Sequence, residues 1–200
     1  MIIYYTNPYH IINMTEGIPV LRTTREKIID AARKVFSRKG YLGASLKEIA
    51  IEAGVSKSLI LWYFGSKKNL ARTVALQTLP RQLIESCIEK SSDAIIDCIV
   101  DKFLEKYSSR DMRRLLLFTF AYQAYDEEID KEISRLCSST IKLVAQKVYG
   151  DASLENRVKI RSIIGALICY ILTPHECIEP KVYGEIVKKL FKNIGKAQSS

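Results

Sequence analysis

Ile28, Ile29, Ala32, Val35 and Phe36 fall on one stripe of a helix. Thr23 followed by Glu26 forms a capping box that opens this helix, and Gly40 marks its end. Ser45 and Glu48 repeat the same box ahead of a second, shorter apolar face made of Ile49, Ala50 and Ala53. Gly54 sits where that helix must stop and turn sharply, because glycine reaches positive φ at no steric cost. Val55 can plug the core beneath the turn, and Ser56 caps a third helix over about 56–63. On it Lys57, Ser58 and Trp62 are available for an exposed face, while Leu59 and Tyr63, or Ile60 and Phe64, point inward. Ser66 caps a fourth helix that runs to about Leu79, where Pro80 breaks it.

From residue 81 onward every strong pattern is again helical. The spacing predicts helices over 81–90, 93–107, 111–125, 127–149, 153–173 and 181–194, punctuated by Gly150, Pro174 and Pro180. There is no strand alternation, repeat or low-complexity tract, so the predicted fold class is all-α. The expected organisation is an arm or extension over 1–21, a three-helix head over 22–72 and a helical body over 73–200. The 66–79 helix, which joins head to body, is the natural lever between them.

Charge sharpens this picture. The chain carries a net charge of +9, and residues 22–72 hold twelve of its 31 basic residues but only four of its 22 acidic ones. A surplus of eight in one quarter of the chain gives that quarter affinity for phosphates through counterion release. Two short helices separated by a glycine turn, with small and basic groups at the start of the second, form the grammar of a helix-turn-helix that reads duplex DNA. Ser45, Lys47, Ser56, Lys57, Ser58 and Trp62 are the candidate contacts, with Arg22 and Arg25 reaching the backbone or minor groove from the arm. Lys67 and Lys68 lie in the first turn of a helix, where cations are unfavourable. A nearby phosphate backbone explains such a placement.

Three segments carry a resemblance: TREKIIDAARKVFSRKGY over 23–41, S-x-x-x-I-A-x-x-A-G-V-S over 45–56 and Y-F-x-S-K-x-x-L over 63–70. Together they resemble the DNA-binding domain of the TetR family of transcriptional regulators, over about a quarter of the chain. The resemblance implies a TetR-like architecture, a DNA-binding head followed by a ligand-binding and dimerisation body. It also implies phosphate contacts by Tyr63 and Lys67. Three positions depart from the family pattern: Leu61 stands where a tyrosine is usual, Leu59 where a small residue or threonine is frequent, and Trp62 where a histidine is frequent.

In the body, Ser162, Gly165, Ala166 and Cys169 share one side of the 153–173 helix, and small residues on one face permit close helix approach. The rest of that helix is apolar nearly all round. It is either a central core helix or one that pairs with 181–194 and with a second copy of the chain, and the resemblance favours the homodimer. Phe118, Tyr122 and Tyr125, with Phe103 and Tyr107 on the preceding segment, form either core or the wall of an apolar pocket. Arg113 and Arg114, beside Arg110, could hold an anionic headgroup on a ligand such as a fatty acid or acyl-CoA ester.

Catalysis has little support. His10 and His175 are the only histidines, and His175, Glu176, Cys177 and Glu179 match no strong metal motif. No metal or cofactor is expected. The five cysteines are odd in number and lack a C-x-x-C, which reads as reduced thiols in a cytoplasmic protein. No apolar run reaches membrane-spanning length, so no membrane association is expected. The expectation is a ligand-responsive repressor that binds a palindromic double-stranded operator and is released by a small-molecule effector. The alternatives are an architectural DNA-binding protein without effector, or a helical carrier or enzyme with a basic tether.

Overall fold

A computed structural model describes residues 23–173 and 178–196. Arg22, the rest of the arm, His175, Glu176 and Cys177 lie outside the described residues. The described chain contains helices and no strand, in the order α1 (Thr24–Gly43), α2 (Leu46–Ala53), α3 (Lys57–Phe64), α4 (Lys67–Thr78), α5 (Arg81–Glu85), α6 (Ser92–Lys106), α7 (Arg110–Tyr125), α8 (Glu127–Tyr149), α9 (Leu154–Leu172) and α10 (Pro180–Lys196).

Both predicted capping boxes form. Thr23 accepts from the Glu26 amide while Glu26 accepts from the Thr23 amide, and Ser45 and Glu48 do the same. Ser56 and Ser66 cap α3 and α4 by accepting from Leu59 and Asn69. Gly54 adopts φ 66°, and a Cβ built on it meets nothing within 4 Å, so the backbone conformation and not crowding requires glycine there.

Two cores form. The first gathers Ile28, Phe36, Ile49, Ile60, Leu70 and Val74 from α1–α4 and continues into Leu115, Phe118 and Tyr122 of α7 and Ile129 and Ile133 of α8. The second fills the body with residues of α5, α6, α9 and α10 and parts of α7 and α8, including Phe103, Tyr107, Ile163 and Leu167. The head therefore does not hang from a single linker. It shares a core with the front of the body.

The expected helix over 81–90 is shorter than predicted. It stops at Glu85 and gives way to turns that lead into α6. Within those turns lies buried Cys87, which is disulfide-bonded to Cys98 on α6. This corrects the reading of all cysteines as reduced thiols. Short helices are marginal without tertiary support, and here the bridge ties the segment to α6. Cys137 and Cys169 are the free cysteines among the described residues.

Candidate nucleic-acid interface

α2 and α3 meet at the Gly54 turn, and α3 buries Ile60 and Phe64 into the head core. Of the two inward pairs the sequence allowed, the structure selects this one. Leu59 and Tyr63 are half-buried at the flanks, and Lys57, Ser58, Leu61 and Trp62 form the exposed face. Trp62 is 69% exposed, with its ring edge-on to Tyr63 at 4.8 Å between centroids. Ser45 and Lys47 open α2 on the exposed surface.

Ion pairing sorts the head's cations. Lys34 and Arg38 of α1 bind Glu52 of α2 at 3.1 and 2.9 Å, and Lys39 binds Glu48. These ammonium and guanidinium partners hold both carboxyls below their ordinary values, with Lys39 the largest cause for Glu48 and Lys34 for Glu52. On the opposite side Arg72 bonds Glu132, and Lys68 pairs with Glu128 at 2.8 Å and Asp126 at 3.2 Å. Glu128 and Glu132 belong to α8 and Asp126 caps it, so these three pairs bolt α4 to the body. Lys47 and Lys57 pair with no group among the described residues. With exposed Arg25 and Lys27 of α1, they are cations that no carboxylate holds and that can meet an external anion.

Lys67, which the resemblance implied as a phosphate contact, is also engaged within the head. Its ammonium donates to the Tyr41 and Ala44 carbonyls, both at 2.9 Å, and lies 4.4 Å from the Tyr41 ring centroid. It closes the carbonyl end of α1, where a cation is favourable. Its place in the first turn of α4 is thus explained within the protein. Arg25 is exposed and lies over the Phe64 ring at 5.3 Å, where it can still present donors outward.

The seven residues read as one effector pocket fall into three groups, of which Phe118, Tyr122 and Tyr125 line one open recess of about 290 Å³ with Tyr41 and Leu42. Phe118 stacks on Phe36 at 4.8 Å, and Tyr122 packs against Tyr41 at 4.8 Å. The Tyr122 hydroxyl donates to the Lys68 carbonyl at 3.2 Å, and Tyr125 lies 5.9 Å from Tyr41. These three form the seam between head and body. Phe103 and Tyr107 are buried in the second core, where the Tyr107 hydroxyl donates to the Thr78 carbonyl at 2.6 Å. Arg113 and Arg114 line a separate open recess with Leu117 and Ile171. Sequence spacing alone could not separate these groups, because each partner lies far along the chain.

α4 is consequently held at both ends. Tyr122 and the α8 acids grip its first turns. Tyr107 and Lys106, whose ammonium donates to the Leu79 carbonyl at 2.8 Å, grip its last. A mainly apolar recess of about 60 Å³ adjoins that end, lined by Leu79, Pro80, Ile84, Leu136, Cys137 and Ile164, with Arg81 and Thr140 also on its wall. On the far side of the body, Ser162, Gly165 and Cys169 of α9 are exposed, whereas Ala166 is half-buried. Val158 on α9 and Val182, Ile186 and Leu190 on α10 are also exposed.

Residues 28–74 match the model of the bacterial regulatory proteins, tetR family. TtgW, an HTH-type transcriptional regulator of Pseudomonas putida, is 35% identical over 79 residues, which span 38% of this chain and 59% of that relative. GusR of Salmonella enterica matches with a TM-score of 0.69 at 15% identity, covering 86% of this chain and 95% of its own. NalD of Pseudomonas aeruginosa, described as the secondary repressor of a multidrug efflux pump, matches with a TM-score of 0.62 at 22% identity, covering 86% and 95%. The sequence match is thus concentrated in the head, and the fold match extends through the body. The head matches the tetR family of bacterial regulatory proteins, and the all-helical fold behind it is similar to that of solved TetR-like regulators.

Proposed function

We propose that the protein is a cytoplasmic, ligand-responsive transcriptional repressor that binds a near-palindromic duplex operator as a homodimer. The observation that carries the reading is the exposed α3 face. Lys57 and Ser58 stand free in the first turn of a helix whose other side is locked into the head core by Ile60 and Phe64. A helix so placed can enter a major groove and present its N-terminal groups to base edges. Lys47, Arg25 and Tyr63 sit where backbone contacts would orient it. The repressor role described for NalD supports the sign of regulation.

The exposed strip of α9 and α10 supports the homodimer. A Cβ built on Gly165 meets nothing within 4 Å, so the small residues there serve no close approach inside one chain. Val182, Ile186 and Leu190 extend the strip as exposed apolar side chains, and such patches mark association surfaces.

The effector reading rests on the recess beside the end of α4. At about 60 Å³ it is far below the roughly 300–1,000 Å³ that drug-sized ligands occupy. An apolar, anionic ligand such as a fatty acid or acyl-CoA ester would have to separate Leu79 and Ile84 from Leu136 and Ile164. The carbonyls of Thr78 and Leu79 anchor α4 at that point. Opening the recess therefore moves the lever, and the two heads lose the spacing the operator requires. No described helix is long and apolar enough to cross a membrane.

The test is selection from a random duplex library followed by footprinting on genomic DNA. A motif of about 16–22 base pairs with two related half-sites is expected. Unselective coverage would refute the specific regulator. Titrating fatty acids, acyl-CoA esters and aromatic compounds against the bound operator tests the effector. Failure of all of them to release DNA would remove that half of the proposal.

A further inference from the structure

Leu61 and Trp62 are an unusual pair to leave in solvent. Both lie on the face of α3 that carries Lys57 and Ser58, and they are 38% and 69% exposed. Trp62 has an edge-on contact with Tyr63 that restrains its ring. Leucine carries no hydrogen-bonding group, and tryptophan offers one donor, the indole N–H. Helix burial does not account for the pair either, because Ile60 and Phe64 already fill the core side of this eight-residue helix. An apolar patch that shares its helix face with unpaired Lys57 fits a partner with phosphates at its rim and an apolar feature at its centre.

We infer that Leu61 and Trp62 are specificity-determining residues that read the 5-methyl groups of thymines in the major groove of each half-site. The inference rests on the DNA-binding reading above. Among base edges in the major groove, the thymine methyl is the apolar feature, and the other positions offer donors and acceptors. Lys57 and Ser58, one turn earlier on the same face, reach polar edges or phosphates. Leu61 and Trp62 then meet the adjacent methyls. The specificity is by loss of contact area, so a half-site lacking those methyls binds more weakly without any broken hydrogen bond.

The experiment uses the full-length protein and the duplex enriched from a random library. Each thymine is replaced in turn by deoxyuridine, which keeps every hydrogen-bonding group and removes only the methyl. The expected result is a loss of about fourfold in affinity per methyl at one or two positions of each half-site, the size expected for one buried carbon. In Leu61→Ala and Trp62→Ala the same substitutions lose their effect at the position each residue reads. Circular dichroism checks that both variants fold, and the wild-type deoxyuridine scan decides the matter without them. If deoxyuridine is neutral everywhere while the operator still binds specifically, the methyl reading is overturned and the regulator reading stands. If no duplex is enriched at all, both fall together.

Discussion

Replacing Lys67 with methionine separates two tasks the residue could perform. In the structure its ammonium donates to two carbonyls at the end of α1, each at 2.9 Å, from a half-buried position. Methionine keeps the length of the chain and removes both donors. Hydrogen bonds from a charged group are worth about 1.5–3 kcal/mol each when well buried. Partial exposure here puts the pair together at the low end, about 2 kcal/mol. For a chain of this size that corresponds to a fall in Tm of about 4–8 °C. Scanning calorimetry of the two proteins measures it. Operator and random-duplex affinities should fall by the same factor, because the end of α1 supports the whole head. The slope of log affinity against log salt should not change. If Lys67 instead contacts phosphate, Tm stays put and the salt slope becomes shallower by about one. That outcome would refute the capping role.

Other expectations follow from the same contacts. Gly54→Ala should destabilise by about 1–2 kcal/mol in denaturant titrations through its positive φ alone, since its Cβ would meet nothing. Gly165→Leu should leave the monomer's stability unchanged, because the site is open, yet dissociate the dimer in sedimentation; an intact dimer would place the interface elsewhere. Reducing Cys87–Cys98, which are 11 residues apart, should cost about 3 kcal/mol by the chain-entropy account, read as a lower midpoint in denaturant with reductant. Burial, with Arg33 nearby, pushes Lys106 from its ordinary 10.5 down to about 8. The unfolded chain then binds more protons than the folded one above pH 8, so this residue makes stability rise from there toward pH 10. Beyond pH 10, Tyr107 and Tyr122, both raised by burial, hold protons that the unfolded chain releases, and stability falls. Lys106→Met should flatten the rising limb in pH-dependent melts.

The head was legible because its signals are short-range. Thr23 with Glu26, Ser45 with Glu48, and the caps at Ser56 and Ser66 each act within three residues, and each formed as spaced. The long helices of the body were legible from periodicity, and α8 begins and ends where the pattern placed it. What the sequence withheld depends on distant partners. Lys67 meets carbonyls 26 and 23 residues away, and the Tyr122 hydroxyl meets one 54 residues away. Nothing in local spacing tells a tyrosine at a head–body seam from one lining a pocket. Tyr122 does both: it lines an open recess and packs on Tyr41 and Phe118 at the seam, so its loss to alanine should weaken operator binding without any ligand. The cysteine pairing was similarly hidden, since Cys87 sits in turns where a longer helix was expected.

The most direct test of the central claim is a fluorescence anisotropy titration of the enriched duplex against a scrambled duplex of equal length, repeated from about 50 to 200 mM salt. The expected result is a preference of at least about a thousandfold for the enriched sequence, with affinity for both falling steeply as salt rises. Equal affinity for the two duplexes at every salt concentration would contradict a sequence-reading head.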